Sequence, residues 1–367
     1  MPNPELDDFL RLPLIRPLPS LEEVQKIFDR RRPDSPDSVF FDFHLGSARV
    51  RVQTTREILS EWLTPALANI LAINTGNTAP EFHLNIALLT DLVEIGDLAF
   101  WVGRGNRHGL YESIDVSGDV FLFEHSSRFL AYWSPLKRKA FVCLDNLQNL
   151  AAWELAAPIK SVIHGICTGT PLQLIHAGGV GRSDGGVLLL GPGGSGKSTT
   201  ALACLGSKLG YTADDYCLVE TNPQPMAYQL YTTAKLRPEN IHRFESMRPR
   251  FKRNDDRLGD KPTIFLNEED NFTNLRSFPI RALVLPKVTG LLETSWQRCS
   301  AASAWRALAP STIAQLPLCG NETFAKITSL TRTVPAYVMH VGTDLSKISV
   351  CIEEILKEAK RSPKTIT

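Results

Sequence analysis

Residues 187–200 read VLLLGPGGSGKSTT, and this stretch decides the fold expected for the second half of the chain. Gly191, Gly196, Lys197 and Ser198 fill the phosphate-loop (Walker A) template G-x-x-x-x-G-K-[ST]. Upstream, Gly186-Val187-Leu188-Leu189-Leu190 is a short apolar run of buried-strand type, and downstream TTALACLG (199–206) is compact and helix-capable. Strand, glycine loop and helix form the context that the template requires. Gly193, Gly194 and Gly196 let the backbone turn sharply with its N–H groups pointing inward, and Pro192 stiffens the turn. A helix beginning near Lys197 adds unpaired N–H groups and the positive end of its dipole. Lys197 then carries its ammonium to the β- and γ-phosphates, and Ser198 sets a hydroxyl on Mg²⁺. The expected nucleotide-binding set is Gly191, Gly193, Gly194, Ser195, Gly196, Lys197, Ser198 and Thr199. ATP and Mg²⁺ are the expected cofactors. The reaction does not follow from the loop alone.

Bulk composition narrows the classes of partner. The chain has 367 residues, enough for two domains, with 43% hydrophobic and 22% charged residues, which is ordinary globular material. A formal net charge of +1 gives no electrostatic reason to expect nucleic acid or an anionic membrane. The stretch MPNPELDDFLRLP is acidic and proline-bearing, unlike a secretion or transit sequence, and no apolar run approaches bilayer-spanning length. Seven scattered cysteines show no C-x-x-C pair and no metal-ligand spacing, so they read as buried thiols of a reducing compartment, and a cytoplasmic protein is expected. No zinc site is expected, and a homo-oligomer is compatible with the sequence.

The order of elements suggests two domains. Residues 30–38 (RRRPDSPDS) form a polar, proline-broken joint. VFFDFH (39–44) and ARVRV (48–52) flank Leu45-Gly46-Ser47 as a hairpin. Residues 57–74 have helical spacing, and 118–144 read as three short strands, so residues 1–145 are expected to form a β-rich α+β module, a candidate for substrate recognition. Residues 146–367 are expected to form an α/β phosphate-loop, nucleotide-binding domain. In it 146–164 reads as one long helix, and strands are expected at 171–176, 211–219, 263–266, 282–287 and 336–340. Helices are expected at 303–308, 324–332 and 348–358, followed by a frayed tail at RSPKTIT.

Two further elements flank the loop. His176 ends a predicted strand 21 positions before Lys197, and Asp214-Asp215 follows Lys197 by 17 positions inside TADDYCLV. Only a short helix and a turn separate loop and carboxylates, so the returning strand is expected close to the loop strand. Adjacent residues at a strand end point in different directions. One carboxylate can then take a proton from a hydroxyl while its neighbour holds metal or orients a partner. A nearby His176 can hydrogen-bond the catalytic carboxylate and tune it.

The run LIHAGGVGRSDGGVLLLGPGGSGKSTTALACLGSKLGYTADDYCLV (174–219) resembles the catalytic domain of the HPr kinase/phosphorylase family. That family places a histidine before the loop and an Asp-Asp pair soon after it, and the likeness covers roughly residues 160–350. The resemblance implies that His176 partners the catalytic aspartate, that Asp214 is the general base towards a serine hydroxyl, and that Asp215 stands beside it at the metal with Ser198. Ser198-Thr199 stands where the best-known members carry Ser-Glu, and LYTTAKLRPENI (230–241) stands where their second glycine-rich signature falls. The arrangement is more similar to the HPr-kinase-like proteins of peptide-biosynthesis clusters, which include lasso-peptide kinases. The implied activity is ATP-dependent phosphorylation of a peptide or protein serine, in its most specific form a C-terminal serine of a lasso-peptide precursor.

Arg281, in FPIRALVLP, is a candidate contact to the transferring phosphoryl group, as are Lys235 and Arg237. The mixed-charge run RPRFKRNDDR (248–257) reads as a solvated loop, with a lid or peptide-binding loop as its alternative. Two rivals stay open: a small-molecule hydroxyl kinase on the same scaffold, and a non-catalytic nucleotide-binding regulator. A transport or motor ATPase is disfavoured, because no LSGGQ-like signature follows the loop.

Overall fold

A computed structural model describes residues 20–30, 37–72, 79–88, 110–114, 118–124, 129–148, 150–252, 261–266 and 274–361. Among the described residues the protein is a mixed α/β chain with two mixed sheets, a two-stranded ribbon and no barrel. It divides into two compact units, residues 1–64 with 71–155, and residues 65–70 with 156–367. This partition falls ten residues beyond the expected 145/146 boundary and assigns 65–70 to the second unit. There Thr232 N–H donates to the Ala66 carbonyl and the Asn69 amide to Gln229 Oε1.

The first unit opens with α1 (Leu21–Asp29), started by a capping box in which Ser20 and Glu23 satisfy each other's backbone N–H. Strands β1 (Ser38–Leu45) and β2 (Ala48–Thr55) form the expected hairpin. They belong to an eight-stranded sheet, in the order β3-β1-β2-β4-β8-β7-β6-β5 among the described residues. Its remaining strands are β3 (Leu71–Ala72), β4 (Phe82–Leu88), β5 (Leu110–Ile114), β6 (Val120–Glu124), β7 (Phe129–Ser134) and β8 (Lys139–Leu144). The three strands expected over 118–144 are β6, β7 and β8. The helix expected over 57–74 is shorter, a π-helical turn at Ile58–Leu63 and then α2 (Thr64–Leu67). Leu71 and Ala72 pair instead with Phe43 and Asp42, while 73–74 lie outside the described residues. Most of the joint expected at 30–38 also lies outside them, as do 253–257 of the charged run and the tail from 362.

The long helix expected over 146–164 is two short ones, α3 (Ala152–Ala156) and α4 (Lys160–Ile166). Pro158 carries no N–H to continue a helix, and Ile159 turns the chain at φ 49°.

In the second unit a central block is built on β11 (Gly185–Leu189), whose neighbours are the antiparallel β10 (Gly178–Arg182) and the parallel β17 (Ser277–Val288). The order continues outward as β12 (Gly210–Ala213) on β10, and β19 (Ala336–Val341) then β18 (Ser295–Cys299) on β17. The other end of β17 pairs β14 (Met226–Tyr228), which leads to β13 (Cys217–Glu220) and β9 (Leu172–Ile175). Val187 and Leu189 of β11 pack on one face with α5 (Lys197–Ala203) and α9 (Ser346–Arg361). Leu188 and Leu190 pack on the other with α7 (Ala301–Ile313) and α8 (Asn321–Thr333). A strand covered on both faces must be apolar throughout, which is why the sequence runs VLLL without alternation. The α9 side buries Ile348, Cys351, Ile352, Ile355, Leu356 and Ala359, a single stripe at helical spacing.

Residues 211–219 do not form one strand. They divide into β12 and β13, which sit in different parts of the sheet, and Asp214-Asp215-Tyr216 is the break. The segment after it contributes β15 (Thr233–Lys235), α6 (Pro238–Ile241) and β16 (Thr263–Phe265), with β15 and β16 paired as a separate ribbon. Among the described residues no helix is long and apolar enough to cross a membrane.

Candidate active site

The glycine loop leaves the end of β11 and enters α5 at Lys197. Two of its glycines are required by φ, and a side chain approaches each closely. Gly191 has φ 146°, and a Cβ there would stand 2.7 Å from Ser195 Oγ. Gly194 has φ 88°, and a Cβ there would stand 2.7 Å from Arg237 Nη2. The loop therefore closes on itself and lets a guanidinium approach its backbone. Lys197 is buried, and its Nζ donates to the carbonyls of Gly191 at 2.7 Å and Pro192 at 3.4 Å. Burial lowers its pKa, opposed by the charges of Asp215 and Asp214.

The two aspartates stand in different surroundings. Asp214 is 2% exposed. Its Oδ2 accepts the Lys235 backbone N–H at 2.7 Å, whereas its Oδ1 is buried with no hydrogen-bond partner among the described residues. Burial, then the Asp215 charge, raises its pKa to about 6, against weaker pulls from the Lys235 amide, the Ser198 hydroxyl and Lys197. Asp215 keeps about 30% exposure. Its Oδ1 lies 3.0 Å from His176 Nε2, and its Oδ2 accepts from Lys235 Nζ at 3.1 Å. Burial pushes this carboxyl up, but the Lys235 ammonium and the His176 hydrogen bond outweigh it and hold it well below the ordinary range. Lys235 thus discriminates between neighbours, giving its amide to one and its ammonium to the other.

His176 follows β9, is 2% exposed, and donates its backbone N–H to Thr312 Oγ1 at 3.1 Å. Burial lowers its pKa, against the pull of Asp215. A neutral ring beside a carboxylate donates from Nε2. The histidine therefore pairs with Asp215, and not with Asp214 as the resemblance implied.

A cleft of about 300 Å³ opens over these groups. Of the expected residues, Gly193, Gly194, Gly196, Lys197, Ser198, Thr199, Asp215 and His176 line it. Gly191 and the inward-turned Ser195 brace the loop from behind, and Asp214 faces a smaller cavity beside Tyr231 and Thr233. Lys235 and Arg237 line the main cleft as well. Arg281 does not. Its stem lies against Gly185 and its Nε donates to the Asp184 carbonyl at 3.4 Å, at the end of β11 remote from the loop. The strand carrying it starts at Ser277, five residues earlier than expected, so Arg281 falls at the wrong end of the sheet. Lys261, Arg243 and Gln315 also line the cleft. No motif announces them, and only the fold brings them to the loop.

No protein-family model matches the chain, and a search of curated proteins gives no match either. Its class rests on the site itself. A glycine loop and five cations (Lys197, Lys235, Arg237, Arg243 and Lys261) suit a polyanion, and two unlike carboxylates adjoin them. Among the described residues no group of three or more His, Cys, Asp or Glu is placed to hold a metal ion. A magnesium ion shared with phosphates needs only one or two carboxylates.

Proposed function

We propose that this chain is a phosphate-loop kinase that transfers the γ-phosphoryl group of ATP to a serine hydroxyl of a peptide or protein. The observation that carries the reading is the pair of aspartates. One is buried with an orphaned oxygen beside the loop serine, and its neighbour opens to the cleft between a histidine and a lysine.

Magnesium fits the residues present. The orphaned Asp214 Oδ1 and the Ser198 hydroxyl that pulls on the same carboxyl are the donors that would hold it. When bound, it neutralises charge on the transferring phosphates. Lys197 leaves the loop carbonyls for the β- and γ-phosphates, and Arg237 reaches them across Gly194. Asp215 receives the proton of the attacking hydroxyl, since it is the carboxylate that lines the cleft. The Lys235 ammonium restrains its basicity, and turning that ammonium towards the incoming phosphoryl group restores it. Phosphoryl transfer accepts the proton late, so a weak base in the correct place suffices. In this reading the roles implied by the resemblance are exchanged: Asp215 is the base and Asp214 the metal ligand.

The test is to incubate the full chain with ATP, Mg²⁺ and peptides that end in serine. The expected product carries one phosphate on serine, and Asp215→Asn lowers kcat by about 10²- to 10⁴-fold. Phosphate found only on small-molecule hydroxyls, or released as free phosphate whatever the acceptor, contradicts the proposal.

A further inference from the structure

The C-terminal end of α7 grips His176 at two points. Thr312 Oγ1 accepts the His176 backbone N–H at 3.1 Å. One turn later, after its own N–H has closed on the Thr312 carbonyl, Gln315 sets its amide nitrogen 3.0 Å from Nδ1 and 3.3 Å from Nε2 of the same ring. An atom that close to both nitrogens stands over the face of the imidazole and not on either lone pair. The other end of the amide is fixed as well. Tyr216 O–H donates to Gln315 Oε1 at 2.7 Å, and Lys160 Nζ reaches the same phenol oxygen at 3.4 Å. An ammonium can only donate, so the phenol hydrogen is left for Gln315, and the amide must turn its nitrogen to the histidine. The Tyr216 ring, 5.9 Å from the imidazole centroid, closes a further side.

We propose that Gln315 is a positioning residue for the reaction proposed above: oriented by Lys160 and Tyr216, its amide clamps the face of His176 so that Nε2 stays on Asp215. It acts through His176, whose ring its amide nitrogen meets. The inference rests on the kinase reading for its effect on rate, but not for its effect on the ring.

The experiment uses the full chain with ¹⁵N-labelled histidine, the His176 ring signals being assigned by their loss in His176→Asn. Wild type is expected to show a protected Nε2–H, and Gln315→Met to lose or broaden it. The same variant is expected to lower kcat about tenfold while the KM for ATP moves less than about twofold. In a His176→Asn background Gln315→Met is expected to cost nothing further. Should Gln315→Met fail to fold, Gln315→Glu keeps the acceptor for Tyr216 but offers no N–H to the ring, and the same loss of signal is expected. An unchanged His176 signal, or an equal loss of rate in the His176→Asn background, overturns the clamp. Should the wild type transfer no phosphate, the kinase reading falls and the ring spectra alone decide the clamp.

Discussion

Two buried aspartates, one in each unit, show how differently the same burial can be used. Asp42 in β1 is 1% exposed and is held by Arg49 Nε and, at 3.0 Å, by Arg51 Nε from the neighbouring strand. Burial pushes its carboxyl up, but the two guanidiniums prevail and hold it below the ordinary range. Asp214 is 2% exposed, has a single backbone donor, and is raised to about 6. Both of Asp42's oxygens are engaged, which marks a structural ion pair. Asp214 holds an oxygen in reserve, and a buried acceptor with no hydrogen-bond partner among the described residues points to something the site is built to receive.

The comparison breaks most visibly at Asp42. Asp42→Asn takes a shared charge from two arginines, one of them nearly buried, and is expected to destabilise the first unit by about 3 kcal/mol or more. Thermal or denaturant unfolding reads this directly. In wild type the stabilisation from Asp42 is present above the unfolded pKa and is lost as pH falls through its lower folded value.

Asp214 carries the opposite sign. Its folded pKa lies above the unfolded one, so the protonated form favours the fold. That contribution is present below about pH 4 and lost as pH rises through about 6. Without Mg²⁺ and nucleotide, Asp214→Asn is therefore expected to unfold later than wild type at pH 8, by at most about 3 kcal/mol. At pH 4 the advantage is expected to vanish. Equal stability at both values would mean that the orphaned oxygen is already satisfied.

The smallest contrast lies between two arginines. Arg237→Ala is expected to weaken ATP binding by about tenfold, the scale of one charge-assisted contact. Arg281→Ala is expected to leave it unchanged, because that side chain lies at the far end of β11. Titration of a fluorescent ATP analogue separates the two.

What the sequence made legible follows the same physics. β11 is apolar throughout because helices cover both of its faces, and its loop needs glycine at Gly191 and Gly194, where φ is positive. The Asp-Asp break was harder to read. Two short apolar runs on either side of it look like one strand, and only sheet pairing shows that β12 joins β10 while β13 joins β9. Which aspartate meets His176 turns on a one-residue step, and that step is set by register. Lys261 and Gln315 reach the cleft from 46 and 100 residues beyond Asp215, through β16 pairing and the end of α7. Neither sits in a local pattern, so neither could be read before the fold was known.

The most direct test of the division between the aspartates is calorimetric titration of ATP, with and without Mg²⁺, into Asp214→Asn and Asp215→Asn. The account predicts that Asp214→Asn loses the magnesium-dependent gain in affinity while Asp215→Asn keeps it. The reverse result would contradict it and restore the roles implied by the family resemblance.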